Sequence, residues 1–335
     1  MYSRALIMGS VRRATRVGLG LSVGLGAAMA MVGPQVIRAH GGSAREPMLS
    51  TIFTTWSGAL PLWIGIAAPT IGYLVAVLIV NHAHPMTPVP PRRLAAWLTG
   101  VAMIAIALTS AADVYANDLF TVHMVQHLLL AMVAPPLLAL GAPITLLLRV
   151  SRPEFRRSVL IPILHSRVAQ AVSWAPVGWT VFAVVMWATH FSPVFDAALE
   201  DDGLHHVEHL LYLAAGVLFW WPVIGADPIR WRLSPVMRMV YLASQMPINT
   251  AVGLAIYFAP TVLYPHYATL DRQWGPDPFT DQQIAGIVMW GVGDVILLSA
   301  LVLSIAAWLR ADENRSQRTL EQRSRNVERD SHERA

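Results

Sequence analysis

Seven apolar segments, each long enough to cross a lipid bilayer as a helix, constrain this chain more than any other feature. They lie at about 61–80, 94–112, 123–148, 170–189, 206–224, 240–260 and 284–308. The hydrocarbon core of a bilayer is about 30 Å thick, which about 20 helical residues span. Inside lipid the backbone polar groups must bond within the segment. The sequence therefore predicts an all-α, polytopic bundle of seven transmembrane helices surrounded by the lipid bilayer.

The first 39 residues form a segment of a different kind. Four arginines lie within positions 4–16, an apolar run follows over 17–32, and Gly33-Pro34 precedes Ala39. This order is typical of a secretory signal peptide cleaved after Ala39, and an uncleaved signal anchor has the same order. We therefore predict three regions, namely 1–39 as the signal peptide or anchor, 40–310 as the seven-helix membrane domain, and 311–335 as a charged cytoplasmic tail.

The distribution of arginine predicts the orientation of the bundle. Every second loop is rich in arginine, and these loops lie at 81–93, 149–169 and 225–239. The other loops together contain a single arginine, Arg272. Because basic loops stay in the cytoplasm, we predict a multi-pass protein of the bacterial cell membrane with a cytoplasmic C-terminus. This arrangement also accounts for the pI of about 9.7, so that nucleic acid is not expected as a partner.

The composition excludes several kinds of chemistry. The chain has no cysteine, which excludes disulfides and thiolate metal ligands, and all 24 residues counted as Lys or Arg are arginines, which excludes a Schiff-base lysine. A metal would have to bind histidine, methionine, carboxylate or backbone groups. The sequence contains no nucleophile–base pair, phosphate-binding loop or zinc-protease motif. We therefore do not expect an enzyme.

Two segments of the chain are nearly alike and suggest a metal site. They read His123-Met-Val-Gln-His127-Leu-Leu-Leu and His205-His-Val-Glu-His209-Leu-Leu-Tyr. A spacing of four places both imidazoles of a pair on one helix face. The third and fifth spans both begin outside, so the pairs lie at similar depth, and His190 ends the fourth span at that level. Because imidazole is a common metal ligand, we predict a metal or haem site, with a proton relay or a structural polar network as alternatives.

Four further residues are candidates for the same site. Met124 follows His123, and Met289 lies in the seventh span; thioethers favour Cu(I), although methionine also fills apolar cores. Glu208 precedes His209 and is placed to orient a metal-bound imidazole, or it is a solvated acid. Asp294 lies near the middle of the last span, where an ionisable group is costly. It is a proton-linked candidate, or it is hydrogen-bonded to a neighbouring helix.

Prolines interrupt the third span below the first histidine pair. Pro135, Pro136 and Pro143 all lie within this apolar run. Proline removes a backbone hydrogen bond and bends a membrane helix. Such a bend would widen a cavity beneath His123 and His127, and the alternative is that it serves helix packing alone.

The first histidine motif, continued by Val133-Ala-Pro-Pro-Leu-Leu-Ala-Leu-Gly-Ala-Pro143, resembles the signature of a bacterial family. This is the polytopic CtaG family of cytochrome c oxidase assembly factors. Four other segments are similar to the family, namely Trp187-Ala-Thr-His190-Phe-Ser-Pro193, Leu204-His205 to Glu208-His209-Leu, Phe219-Trp-Trp-Pro222 and Asp281-Gln-Gln-Ile-Ala-Gly286-Ile-Val-Met289-Trp290. The resemblance extends from about residue 56 to 300.

The resemblance implies a seven-span, non-catalytic protein that helps to assemble cytochrome c oxidase, with copper delivery as the favoured role. The motif histidines carried over are His123, His127, His190, His205 and His209. The implied cofactor is copper, and the implied partners are oxidase subunits together with extracytoplasmic copper chaperones. Two other functions remain open. One is a b-type haem protein that moves electrons, since paired histidines can bind haem axially, and the other is a copper permease.

Overall fold

The computed structural model describes residue 46 and residues 54–228 and 230–334. Every regular element within these residues is a helix. The prediction of a signal peptide or anchor at 1–39 lies outside the described residues. The all-α polytopic bundle that the sequence predicts is confirmed.

Six helices are long and apolar enough to cross a membrane, and one bent pair of helices completes a seventh candidate span. In chain order the spans are Leu60–Ala83, Pro91–Thr109, Phe120–Val150, Ala175–His190 with Pro193–Glu200, Asp202–Ile224, Pro235–Tyr257 and Pro278–Arg318. We refer to these as the first to seventh spans. The third span packs against the second and fifth, the fourth against the fifth and sixth, and the sixth against the seventh.

The fourth span differs from the straight helix that its apolar run predicts. The Ala175–His190 piece has 16 residues, which is about 24 Å of helix and less than the thickness of a bilayer core. The chain then bends by 70° into Pro193–Glu200. The hydroxyl of Ser192 accepts a hydrogen bond from the Val194 amide, and Pro193 begins the new helix. The second piece therefore turns across the end of the bundle.

The third and seventh spans each contain a π-helical turn. In the third span the turn covers Leu129–Val133, and the Ala134 amide bonds to the carbonyl of Leu129, five residues back. Pro135 and Pro136 have no amide hydrogen, so the bonding pattern changes directly before them. In the seventh span the turn covers Val288–Val292. The predicted bend of the third span is thus a local widening of the helix that precedes the prolines.

Two glycines let the spans that carry histidines approach each other closely. A Cβ atom on Gly216 of the fifth span would lie 2.5 Å from the carbonyl oxygen of Ala131 in the third. A Cβ atom on Gly178 of the fourth span would lie 2.3 Å from the carbonyl oxygen of Leu218 in the fifth. Only glycine fits at either contact, as is common where membrane helices touch.

The seventh span continues beyond the membrane domain that the sequence predicts. Its last helix runs from Gly293 to Arg334 without interruption. The charged region at 311–335, which the sequence predicts to be a cytoplasmic tail, is helical through Arg334. The three-region division of the chain remains a prediction.

Candidate metal centre

The described structure gathers five predicted histidines and Glu208 where the third and fifth spans begin, which we call the histidine end. All six side chains are buried, with exposed fractions of 0% for His123, 3% for His127, 2% for His190, 9% for His205, 3% for Glu208 and 5% for His209. Burial of so many polar groups is costly unless they have partners. We call this set the histidine cluster.

The imidazole rings of the histidine cluster are in mutual contact. Ring centroids lie 4.2 Å apart for His123 and His127, and 4.2 Å apart for His205 and His209. Between the two spans, His123 and His205 stack at 5.2 Å. The His127 ring lies 6.2 Å from that of His209 and 6.1 Å from that of His190. The two sequence pairs thus face each other across the contact between the third and fifth spans.

Three members of the cluster have the geometry of a cation site. His123, His205 and Glu208 each offer one ligand atom, and these atoms lie within 4.8 Å of one another. One oxygen of the Glu208 carboxyl, Oε2, lies 3.9 Å from Nε2 of His127. Imidazole and carboxylate ligands suit several transition metals. This buried group could therefore hold a metal ion, with Glu208 as a direct ligand.

Hydrogen bonds define the protonation of the first histidine pair. The Tyr267 hydroxyl donates to the carbonyl of Ala116 at 3.0 Å and lies 3.3 Å from Nδ1 of His123. Because its hydrogen is used, this hydroxyl accepts from His123, whose Nε2 then has no hydrogen. Without a metal, His127 Nε2, which lies 2.8 Å from that atom, donates to it, and a cation bound by His123 Nε2 would replace this hydrogen. His127 Nδ1 is consequently left with a free lone pair.

Several buried atoms of the cluster have no partner. These are Nδ1 of His127, Nε2 of His205, Nε2 of His209 and both carboxyl oxygens of Glu208. Buried polar atoms are nearly always hydrogen-bonded in folded proteins. A cation would satisfy the Glu208 oxygens together with the ring nitrogens of His123 and His205 that lie within 4.8 Å, so the residues present fit a metal ion.

Two aspartates fix the starts of the helices that carry the histidine pairs. The Asp281 carboxylate, at the start of the seventh span, accepts from the amides of Phe120 at 2.7 Å and Thr121 at 3.3 Å. Asp201 accepts from the amide of Leu204 at 2.7 Å and so caps the fifth span. Capping of this kind satisfies amides that have no partner in the helix. His123 and His205 each follow within one turn, so their depth is set by these carboxylates.

Aromatic side chains cover the cluster at the histidine end. Phe195, from the helix after the bend, lies with its ring centroid 5.0 Å from that of His123 and 5.6 Å from that of His190. The Tyr264 hydroxyl donates to the carbonyl of His190 at 3.0 Å. Both aromatic residues are buried, as is Tyr267. The sequence predicts the histidines near the outer ends of two spans. In the structure a layer of aromatic side chains covers them, formed by Phe195, Tyr264 and Tyr267.

A small cavity lies deeper in the bundle, beside the cluster and at the level where the sequence predicts a bend. Its lining includes His127, His190 and four methionines, Met124, Met132, Met186 and Met289. Met124 and Met289 are the two predicted candidates. Met186 was missed, although it lies one helical turn before His190. Met132, which lies in the π-helical turn, was missed because the sequence does not distinguish it from an ordinary core methionine.

Asp294 has partners of its own in the sixth span. Its carboxylate accepts from the Asn249 amide at 3.0 Å and from the Thr250 hydroxyl. The amide of Asn249 also lies 3.4 Å from the carbonyl of Met289. The sequence leaves two roles open for Asp294, and this geometry agrees with a hydrogen bond to a neighbouring helix. A proton-linked role for this residue remains a prediction.

One acid outside the spans contacts the scaffold of the site. Asp113, on the short helix Ala111–Ala116, accepts from the Ser57 hydroxyl at 2.8 Å and from the Gln126 amide at 3.4 Å. Burial raises the pKa of the Asp113 carboxyl to about 6, and the hydrogen bond from Ser57 partly opposes this shift. Because Gln126 adjoins His127, this acid is part of the packing behind the first histidine pair.

Comparison with known proteins relates the amino-acid sequence to a family. The profile of the cytochrome c oxidase caa3 assembly factor family (Caa3_CtaG) matches residues 71–311. Uncharacterized proteins from Mycobacterium bovis and Mycobacterium tuberculosis are each 30% identical over 275 residues, which is 80% of this chain and 41% of the relative. An uncharacterized protein from Mycobacterium leprae is 29% identical over 280 residues, with the same two coverages.

The chain therefore spans less than half the length of the curated relatives that it matches. No solved structure matches the chain. The family match covers most of the chain and includes all six side chains of the histidine cluster. This multi-pass membrane protein belongs to the cytochrome c oxidase caa3 assembly factor family.

Proposed function

We propose that this protein binds copper through the histidine cluster and supplies it for the assembly of cytochrome c oxidase, without catalysing a reaction itself. The observation that carries the proposal is the set of buried nitrogen and oxygen atoms without hydrogen-bond partners on His127, His205, His209 and Glu208. Unsatisfied polar atoms are costly in a membrane interior, and a bound cation would offset that cost for the acceptors among them. The family supports the link to oxidase assembly, and oxidase subunits and extracytoplasmic copper chaperones are the partners that this role requires.

Two observations favour copper over other metals, namely the ligands of the site and the side of the membrane on which the site lies. Imidazole binds Cu, Zn, Fe and Ni alike, but thioether ligands select Cu(I). A thioether reaches the cluster directly, since Met124 Sδ lies 3.4 Å from Nε2 of His190. The arginine-rich loops support a cytoplasmic C-terminus and thus an extracytoplasmic cluster. Copper bound there would be on the side from which we propose that the oxidase is loaded.

The packing of the cluster favours a single ion over haem. A haem with two axial histidines needs the two imidazoles on opposite faces of a wide macrocycle. Here Nε2 of His123 lies 2.8 Å from Nε2 of His127, and Phe195 and Tyr212 pack directly against the rings. The described residues leave no room for a macrocycle between these imidazoles. A visible absorption spectrum of the purified protein checks this point, since bound haem gives a Soret band.

The test combines metal analysis with oxidase activity. We expect the purified protein to bind copper, and we expect His127→Ala and His209→Ala to lower its copper affinity at least about tenfold. In cells that depend on this protein, both variants should lower oxidase activity without lowering expression. Unchanged copper content and unchanged oxidase activity in both variants would contradict the proposal.

The fifth span provides a matched control. His206 lies between His205 and the rest of the motif but is exposed, and its ring bonds to the backbone of Asp202. His206→Ala removes an imidazole from the same helix without removing a member of the cluster. It should leave copper affinity and oxidase activity unchanged. Copper uptake by proteoliposomes then distinguishes loading from the permease alternative, for which net transport is required.

A further inference from the structure

The methionine-lined cavity has a chemical character different from that of the histidine cluster. Its four methionines come from the third, fourth and seventh spans, and each is at most 5% exposed. A thioether sulfur is a soft ligand with no hydrogen to donate. Together the lining side chains leave a void about the size of a single water molecule or metal ion, which we call the methionine chamber.

His190 connects the chamber with the histidine cluster through a defined tautomer. Its Nδ1 lies 2.7 Å from the carbonyl oxygen of Met186. A carbonyl only accepts, so Nδ1 carries the ring hydrogen, and Nε2 of the neutral ring has a free lone pair. That atom faces the sulfur of Met124 at 3.4 Å. Two lone-pair donors therefore face each other at the wall of the chamber with no hydrogen between them.

The π-helical turns of the third and seventh spans each supply a residue to the chamber, whereas a third such turn, Arg156–Leu160, does not. Met132 belongs to the Leu129–Val133 turn, and Met289 belongs to the Val288–Val292 turn. A π-helical turn shifts the direction of the side chains that follow and often marks a functional site. The two turns occur in different spans and yet line one cavity. This coincidence is independent of the contact between His190 and Met124.

We infer that the methionine chamber is a second binding site, selective for soft monovalent cations of the Cu(I) class, that lies deeper than the histidine cluster. This inference deepens the proposed function and rests on it. Thioethers with one neutral imidazole favour Cu(I) over Cu(II) or Zn(II). His127 and His190 line the chamber and belong to the cluster, so the two sites adjoin without an intervening barrier of side chains.

The test is a titration of the purified full-length protein with Cu(I) under anaerobic reducing conditions, against a competing chelator. We expect two bound equivalents, and X-ray absorption of the loaded protein should show sulfur as well as nitrogen neighbours of copper. The variant Met132→Leu/Met186→Leu/Met289→Leu conserves side-chain volume. It should lose one equivalent and the part of the sulfur signal that these three methionines supply, so that Met124 is the one sulfur neighbour left, and it should bind Zn(II) as the unsubstituted protein does.

Two comparisons make the outcomes distinguishable. Met246→Leu replaces a partly buried methionine of the sixth span that packs on the core but does not line the chamber, so it should change nothing. His205→Ala/His209→Ala should lose the other equivalent and keep the sulfur signal. Nitrogen or oxygen neighbours alone in the unsubstituted protein would overturn the inference while the proposed function stands, even if the triple variant does not fold. Failure to bind copper in any form would overturn both.

Discussion

Glu208 and Asp294 are both acids within membrane-spanning helices, but their surroundings differ. Asp294 accepts hydrogen bonds from Asn249 and Thr250 of the neighbouring span. Neither carboxyl oxygen of Glu208 has a hydrogen-bond partner, and the nearest basic group is His127 at 3.9 Å. An acidic residue within a membrane span therefore does not by itself identify a binding site. What distinguishes a structural acid from a candidate ligand is whether neighbouring helices satisfy it.

The largest expected effect comes from removing the charge of the unpartnered acid. Glu208→Gln replaces a carboxylate by an amide of the same shape, and we expect the copper affinity to fall about 10- to 100-fold. Thermal unfolding in detergent should change little, because no hydrogen bond is lost. Titration against a chelator measures the affinity, with Asp294→Asn as the matched control. Equal affinities in the two variants would break the distinction between the two acids.

A smaller effect, on stability and not on binding, is expected at the partnered acid. Asp294→Leu leaves the Thr250 hydroxyl without its acceptor and removes one acceptor of the Asn249 amide, which costs about 1–3 kcal/mol. Denaturant unfolding in detergent measures this loss, and Asp294→Asn should restore part of it. Copper affinity should stay the same. A variant with normal stability and weakened copper binding would show that Asp294 acts in the metal site after all.

The sequence predicts the seven spans, the depth of the two histidine pairs and the presence of His190 beside them, because hydropathy and helical spacing determine these features. It does not predict that the fourth span bends or that Phe195 covers the imidazoles. That arrangement depends on a tertiary contact between the bent segment and the rings. Met132 and Met186 were missed for a related reason, since methionine is common in cores and only the packing shows which ones share a cavity.

The smallest effect that we expect is a pH dependence of stability from Asp113, which shares the scaffold of the cluster but is not part of it. Its folded pKa of about 6 exceeds the ordinary value of 3.8. The folded state therefore binds this proton more tightly than the unfolded chain does. Relative to Asp113→Asn, the protein should be most stable below about pH 4 and should lose that advantage as the pH rises through about 6. Parallel stability curves for the two proteins would contradict this assignment.

The single carboxyl within the group of His123, His205 and Glu208 has a consequence for electroneutrality. When Glu208 is ionised it contributes one negative charge, and neutral imidazoles contribute none. A singly charged ion then leaves this buried volume with zero net charge, whereas a doubly charged ion leaves an excess of one. An uncompensated charge is expensive in a low-dielectric interior. The valence of the bound ion is thus constrained by electrostatics as well as by ligand type.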